Sequence, residues 1–164
     1  MPMTLEGSCR CGAVRFTVES HTPYPYQRCY CSICRKQAGG GGYAINIMGD
    51  AETLEVKGKK AIGVYHATVE EDDGSSWTSS GERNFCTKCG TALWLFDEQW
   101  SDLVHPFASA IDTPLPVPPS HVHLMLDFKP EWVELQLGPD DQLFDRYPEQ
   151  SIEDWHKSRG LWID

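Results

Sequence analysis

Two stretches, Cys9-Arg10-Cys11 and Cys86-Thr87-Lys88-Cys89-Gly90, decide the fold, because each places two cysteines on one short turn. A third stretch, Cys29-Tyr30-Cys31-Ser32-Ile33-Cys34, brings the cysteine count to seven. An odd number cannot pair completely as disulfides within one chain. The residues before Cys9 contain no apolar run of the signal-peptide type, so we expect a cytoplasmic protein in a reducing compartment. Clustered thiols in such a protein are typical of metal sites.

The cysteines divide most simply into a group of four and a group of three. The Cys86-x-x-Cys89 turn, followed by Gly90, is typical of half of a structural zinc site, which needs four ligands in all. Cys9 and Cys11 can supply the other two, or the second pair can come from the central triplet. The first division is favoured because the second leaves one cysteine of the triplet without a partner.

The favoured division leaves Cys29, Cys31 and Cys34 within six residues of sequence. Three protein ligands with one position left for water or substrate are typical of a catalytic zinc. The alternative is a purely structural site in which a histidine supplies the fourth ligand, and it stays open at this point. The chain has six histidines: His21, His66, His105, His121, His123 and His156.

Composition and charge restrict the class of protein. The chain has 164 residues, 40% hydrophobic and 23% charged, which predicts a single globular domain over residues 1–164. No apolar run reaches the ~18 residues needed to cross a bilayer. A net charge of −10 argues against nucleic acid as a partner. Arg35 and Lys36, beside Cys34, indicate a local site for an anionic small molecule.

The hydrophobic pattern predicts a mainly β protein with few short helices. Strands are predicted at residues 13–18, 43–48, 53–56, 62–69, 91–96, 121–126 and 131–137. A capped helix is predicted at residues 151–157 and a second short helix at residues 99–103. The four prolines within residues 114–119 predict an extended connection inside the domain.

Three stretches resemble the glutathione-dependent formaldehyde-activating family, also called the GFA or CENP-V/GFA domain. They are Gly7-Ser8-Cys9-Arg10-Cys11-Gly12-Ala13-Val14, Cys29-Tyr30-Cys31-Ser32-Ile33-Cys34-Arg35-Lys36 and Arg83-Asn84-Phe85-Cys86-Thr87-Lys88-Cys89-Gly90-Thr91-Ala92-Leu93. The resemblance covers about residues 5–135 and leaves residues 136–164 as a C-terminal extension. At Tyr30 the chain differs from the family, which often has histidine there.

The resemblance implies a zinc-bound β-tent fold with two zinc ions. It places a structural zinc on four cysteines and a catalytic zinc on three. The structural ligands would be Cys9, Cys11, Cys86 and Cys89, and the catalytic ones Cys29, Cys31 and Cys34. It also implies a carbon–sulfur lyase of the S-(hydroxymethyl)glutathione synthase type, with glutathione or another small thiol as substrate. From their position beside Cys34, Arg35 and Lys36 can offset the negative charge of three thiolates or bind a glutathione carboxylate.

Two other functions fit the same residues. One is a glutathione carrier, and the other is a non-enzymatic zinc module that binds a small molecule or a partner protein. A methionine sulfoxide reductase is rejected, because that enzyme needs a nucleophilic cysteine late in the chain and none follows Cys89. The sequence permits a homodimer and does not specify one.

Overall fold

The computed structural model describes all residues, Met1–Asp164. It has fourteen short strands and two seven-residue α-helices, which confirms the prediction of a mainly β protein with few short helices. The strands are β1 (Met3–Ser8), β2 (Arg15–Ser20), β3 (Gln27–Cys29), β4 (Ala44–Ile45), β5 (Gly49–Asp50), β6 (Glu55–Lys57), β7 (Ile62–Tyr65), β8 (Thr68–Glu70), β9 (Ser76–Thr78), β10 (Glu82–Cys86), β11 (Ala92–Phe96), β12 (Leu103–Pro106), β13 (Val122–Leu124) and β14 (Gln142–Leu143). The helices are α1 (Ser32–Ala38) and α2 (Ile152–Ser158). Neither helix is long and apolar enough to span a membrane.

The strands form four small sheets. Their orders are β1-β2-β6, β5-β12-β11-β10-β7, β14-β13-β3-β4 and the separate hairpin β8-β9. The third sheet mixes directions, because β13 pairs in parallel with both β3 and β14 while β3 and β4 are antiparallel. The parallel pairing sets Leu124 beside Cys29 and so brings the C-terminal part of the chain to the cysteine triplet.

The hydrophobic core consists of two clusters, and each contains cysteines from one group. The first cluster packs the alternating inward residues of β1 and β2 against β11 and β12, and it includes Cys9 and Cys86. Within it, the rings of Phe16 and Trp94 meet edge to face at 5.1 Å. The second cluster includes Cys29 and Cys34.

The second cluster is closed by the C-terminal helix. Trp155 of α2 stacks on Tyr26 with ring centroids 3.7 Å apart. His156, fully buried, has its Nδ1 2.8 Å from the Ile152 carbonyl oxygen and accepts the Tyr24 N–H at Nε2. The helix begins as predicted, because the Ser151 hydroxyl accepts the N–H three residues later and caps the first turn.

The strand predicted at residues 131–137 is wrong, since these residues are irregular and join no sheet. The backbone of Val133 is bonded locally: its N–H donates to the Pro130 carbonyl and its own carbonyl accepts from the Lys129 ammonium. Only Val133 of the alternating apolar residues is buried, whereas Leu137 is 53% exposed. Residues 131–137 therefore form an irregular surface segment in which only the Val133 side chain is buried.

Other boundaries also differ from the prediction. Residues 99–103 form no α-helix: a short 3₁₀ turn at Glu98–Trp100 is followed by a two-residue turn and then by β12. The strand predicted at residues 62–69 is broken at His66 and Ala67 into β7 and β8. The one predicted at residues 43–48 shortens to β4, after a glycine run in which Gly42 has a φ of 93°.

Candidate functional site

Four cysteines from two distant parts of the sequence meet at one point, next to the first core cluster. The sulfur atoms of Cys9, Cys11, Cys86 and Cys89 all lie within 4.8 Å of one another. The Cys9–Cys11 and Cys11–Cys86 sulfur distances are 3.6 and 3.8 Å. A tetrahedral zinc with Zn–S bonds of about 2.3 Å spaces its sulfurs about 3.8 Å apart, whereas a disulfide needs about 2.05 Å. This donor set therefore fits zinc.

Tight turns hold these sulfurs in place. Gly90 has a φ of 81° and donates its N–H to the Cys86 carbonyl, which turns the chain back between the two ligands. The Cys9 sulfur accepts the Val14 N–H at 3.2 Å. The hydroxyl and the backbone N–H of Thr91 lower the pKa of Cys89 to about 5. At Cys89 the turn thus favours the thiolate form that binds metal.

The second group consists of Cys29, Cys31 and Cys34, whose sulfurs also lie within 4.8 Å of one another, and no histidine belongs to it. Cys29 ends β3, where it pairs with Leu124, and Cys34 lies in the first turn of α1. Cys31 is the N-cap of α1, and its sulfur accepts the Cys34 N–H at 3.3 Å. A strand end and a helix start therefore converge on one point.

Ionisation of more than one thiol in this group requires a nearby cation. Hydrogen bonds from Cys29 and Cys34 lower the pKa of Cys31 to about 2. Hydrogen bonds with Cys31 and Cys34, together with burial, raise the pKa of Cys29. The group thus accommodates one thiolate readily, and further ionisation requires a compensating positive charge. Zn²⁺ bound to thiolates supplies that charge, so the donor set fits zinc here as well.

Arg83 supplies a positive charge beside the triplet. Its two terminal nitrogens lie 3.8 and 3.9 Å from the Cys34 sulfur, and one of them donates to the Gln37 side-chain oxygen at 3.2 Å. Arg83 belongs to β10, where it pairs with Tyr65 of β7. Its role was not predicted, although it lies within one of the three family-like stretches; the only local signal is its position three residues before Cys86.

A cavity of about 560 Å³ opens onto the triplet at Cys31. One wall comes from α1, a second from β7 and β8, and a third from the turn after β13. The lining residues are Cys31, Ser32, Ile33, Lys36, Gln37, Tyr65, Thr68, Val69, Glu70, Met125 and Phe128. Met125 is the one non-glycine residue with a positive φ, 59°, so the backbone is strained where it forms this wall.

Arg146 joins two of the cavity walls from outside. Its guanidinium donates to Asp127, in the turn that carries Phe128, at 2.8 Å, and to Asp72, in the β8–β9 connection, at 3.1 Å. It also lies over the Phe128 ring, 4.5 Å from the centroid. The β8-β9 hairpin pairs with no other strand. The ion pair between Asp72 and Arg146 therefore attaches it to the C-terminal part of the chain.

Only one of the two predicted substrate contacts faces the cavity. Lys36 lines the cavity, whereas Arg35 does not, and the Arg35 Nε is buried without a hydrogen-bond partner. Tyr30 is also absent from the lining: it is 1% exposed and its hydroxyl lies 2.9 Å from His123 Nδ1. Met125 and Phe128 were not predicted, because only the distant pairing of β13 with β3 brings them to the cysteines.

Comparisons with known proteins agree with this arrangement. The model of the family described as "Glutathione-dependent formaldehyde-activating enzyme" matches residues 4–126. A Halomonas elongata protein named putative glutathione-dependent formaldehyde-activating enzyme is 58% identical over 159 residues, covering 97% of this chain and 98% of the relative. The crystal structure of a Rhodobacter sphaeroides protein, 23% identical, superposes with a TM-score of 0.50 over 70% of this chain and 92% of its own, and shows a shared fold. The chain therefore belongs to the glutathione-dependent formaldehyde-activating (GFA) family.

Proposed function

We propose that this protein is a zinc-dependent carbon–sulfur lyase of the GFA type, which acts on S-(hydroxymethyl)glutathione or a closely related thiol adduct. The observation that carries the proposal is the position of the three-cysteine group at the edge of a cavity large enough for a small peptide. None of the cysteines of the four-cysteine group lines this cavity, and that group is proposed to be structural. The family membership supports the choice of a glutathione adduct.

The reaction forms or breaks one carbon–sulfur bond and transfers one proton. In the direction of addition, the thiol sulfur bonds to the carbonyl carbon of formaldehyde, and the thiol proton ends on the former carbonyl oxygen, which becomes a hydroxyl. The reverse direction breaks the same carbon–sulfur bond. A zinc ion held by Cys29, Cys31 and Cys34 would lower the pKa of a thiol or polarise a carbonyl at the cavity edge.

The protein's own residues would bind and orient the substrate. Lys36 is the only cation among the lining residues and Glu70 the only carboxylate. Glutathione carries two carboxylates and one ammonium group, so Lys36 would pair with a carboxylate and Glu70 with the ammonium. Arg83 offsets the negative charge that three thiolates place on the centre, because its guanidinium lies beside Cys34. The apolar side chains of Met125 and Phe128 limit the access of water to one wall.

Exchange NMR on the zinc-loaded protein tests the proposal, because the reaction also proceeds without an enzyme and the catalysed rate must exceed the background. With glutathione and ¹³C-formaldehyde, we expect exchange of the label into S-(hydroxymethyl)glutathione to accelerate in proportion to protein concentration, and Cys31→Ser to abolish the acceleration. Tight glutathione binding with exchange at the uncatalysed rate would reject the lyase and support a carrier.

Lys36→Gln gives a more local test of the substrate site. The variant should raise KM for glutathione about fivefold and leave kcat nearly unchanged, since a partly exposed ion pair contributes up to about 1 kcal/mol to binding in both the ground and transition states. Lys60→Gln is the matched control, because Lys60 is exposed and does not line the cavity. Equal effects of the two substitutions would exclude Lys36 as a substrate contact.

We further propose that the fold is a zinc-bound β-tent, that residues 1–164 form a single domain and that the protein is cytoplasmic. The family match ends at residue 126, yet β14 and α2 pack onto the family-matched part of the chain. This packing supports one domain that includes the extension at residues 136–164.

A further inference from the structure

A chain of three buried polar side chains lies next to the cysteine triplet. The Tyr30 hydroxyl is 2.9 Å from His123 Nδ1, and His123 Nε2 is 3.0 Å from Asp141 Oδ2. Tyr30 is 1% exposed, His123 is fully buried and the Asp141 side chain is 3% exposed. None of the three lines the cavity. They are therefore inaccessible to substrate, and any part they play must act through other residues.

In the Tyr30–His123–Asp141 series, each hydrogen bond is donated toward Asp141. Burial raises the pKa of Asp141, but its hydrogen bonds with His123 and with the His121 N–H outweigh burial and lower that pKa, so Asp141 is a carboxylate acceptor. His123 must then donate from Nε2, which leaves Nδ1 as an acceptor. Tyr30 accordingly donates its hydroxyl proton to Nδ1. Every polar atom along the line has a partner.

Tyr30 connects this hydrogen-bonded series directly to two of the cysteines. It is the single residue between Cys29 and Cys31, and its N–H donates to the Leu124 carbonyl at 3.1 Å. The backbone is thus held on one side by β13, and the side chain is held at its far end by His123 of the same strand. A tyrosine fixed at both ends leaves little freedom to the two cysteines that flank it.

We propose that His123 and Asp141 are positioning residues for the three-cysteine centre: they hold Tyr30, and Tyr30 holds Cys29 and Cys31 at the spacing that zinc requires. This inference rests on the proposed zinc site. It assigns a task to the segment after residue 126, because Asp141 lies beyond the part that the family model matches. Partners that orient metal ligands typically change metal affinity 10–100-fold when they are removed.

The competing explanation is a polar network that only contributes to stability, as buried hydrogen-bonded groups generally do. The four-cysteine site distinguishes the two, because it lies in the other core cluster of the same molecule. General destabilisation would leave both metal affinities unchanged in the folded state or weaken both. Loss of positioning would weaken only the three-cysteine site.

The test compares Asp141→Asn and Tyr30→Phe with Ser20→Ala in the full-length, zinc-loaded chain. Ser20 is fully buried, and its hydroxyl donates to the Met48 carbonyl at 2.6 Å and accepts the Thr22 N–H at 3.1 Å. Its loss therefore removes buried hydrogen bonds in β2, which belongs to a sheet that contains none of the three cysteines. Competition with a chromophoric chelator measures the affinity of each zinc. The thiolate charge-transfer and d–d bands of the Co²⁺-substituted protein report the ligand geometry at each site.

We expect Asp141→Asn and Tyr30→Phe to weaken zinc binding at the three-cysteine site 10–100-fold and to shift the cobalt bands of that site, while Ser20→Ala changes neither affinity. Unchanged affinities, equal weakening of both sites, or the same effect from Ser20→Ala would overturn the inference. If Asp141→Asn does not fold, Tyr30→Phe decides, because it removes a single hydroxyl. A wild-type protein that binds two zincs without accelerating exchange would refute the proposed activity and leave this test valid.

Discussion

Substitution of Cys11 by serine removes one ligand of the four-cysteine site with little loss of packing, because Cys11 is exposed. We expect Cys11→Ser to release the zinc that this site is proposed to hold, because a structural zinc needs four ligands. Its release opens the link between Cys11 and Cys86, which are 75 residues apart in sequence. Closing a loop of that length in the unfolded chain is worth about 4.5 kcal/mol in the chain-entropy treatment of cross-links. Small domains have a total stability of about 5–15 kcal/mol, so the loss would be a large share of the whole.

Urea unfolding followed by tryptophan fluorescence measures this loss, with a reducing agent and a fixed excess of zinc present. We expect Cys11→Ser to lower the unfolding free energy by about 4 kcal/mol or more, which moves the midpoint by about 2 M urea for an m-value near 2 kcal/mol/M. The metal-stripped wild type and the metal-stripped variant serve as the control pair. These two should give superimposable fluorescence signals at every urea concentration, because neither of them holds the zinc.

Two results would contradict a structural role for the four-cysteine site. If the zinc-loaded variant is as stable as the zinc-loaded wild type to within about 0.5 kcal/mol, the four-cysteine site does not hold the fold together. A stripped wild type that keeps native near-ultraviolet circular dichroism would lead to the same conclusion.

Three further predictions concern the C-terminal part and the cavity wall. Ser151→Ala removes the cap of α2 and should lower stability by about 1 kcal/mol in thermal unfolding, whereas Ser151→Asp should retain it. Burial lowers the pKa of His156, so the unfolded chain binds the proton more readily, and stability should fall as pH drops from about 7.5 to 5.5; His156→Gln should flatten that slope in urea titrations. Arg146→Ala should change stability by less than about 1 kcal/mol but accelerate amide exchange in the β8-β9 hairpin, and Asp72→Asn should do the same in part. Unchanged hairpin exchange in both variants would show that the ion-pair bridge does not restrain this wall.

Local sequence determined much of the architecture. The cysteine groups were predictable because each ligand pair lies on a short turn, and counting alone favoured the division into four and three that the sulfur positions show. The C-terminal helix was predictable because Ser151 caps it and its apolar residues face the core. These features depend on residues close together in the chain.

The parts that could not be predicted depend on contacts between distant residues. Tyr30 and His123 are 93 residues apart, and no local pattern indicates that β13 lies in parallel beside β3. The same pairing brings Met125 and Phe128 to the cavity. The alternation at residues 131–137 misled in the opposite sense, because a strand also requires pairing with another strand and these residues pair with none.

Zinc stoichiometry, measured with near-ultraviolet circular dichroism on the same samples, tests most directly the claim that one cysteine group holds the fold and the other holds the reactive centre. We expect two zincs per chain in the wild type, and one zinc with a native spectrum in Cys29→Ser. Two zincs retained in Cys29→Ser, or loss of the native spectrum on that substitution, would contradict the division of the seven cysteines into a structural and a catalytic site.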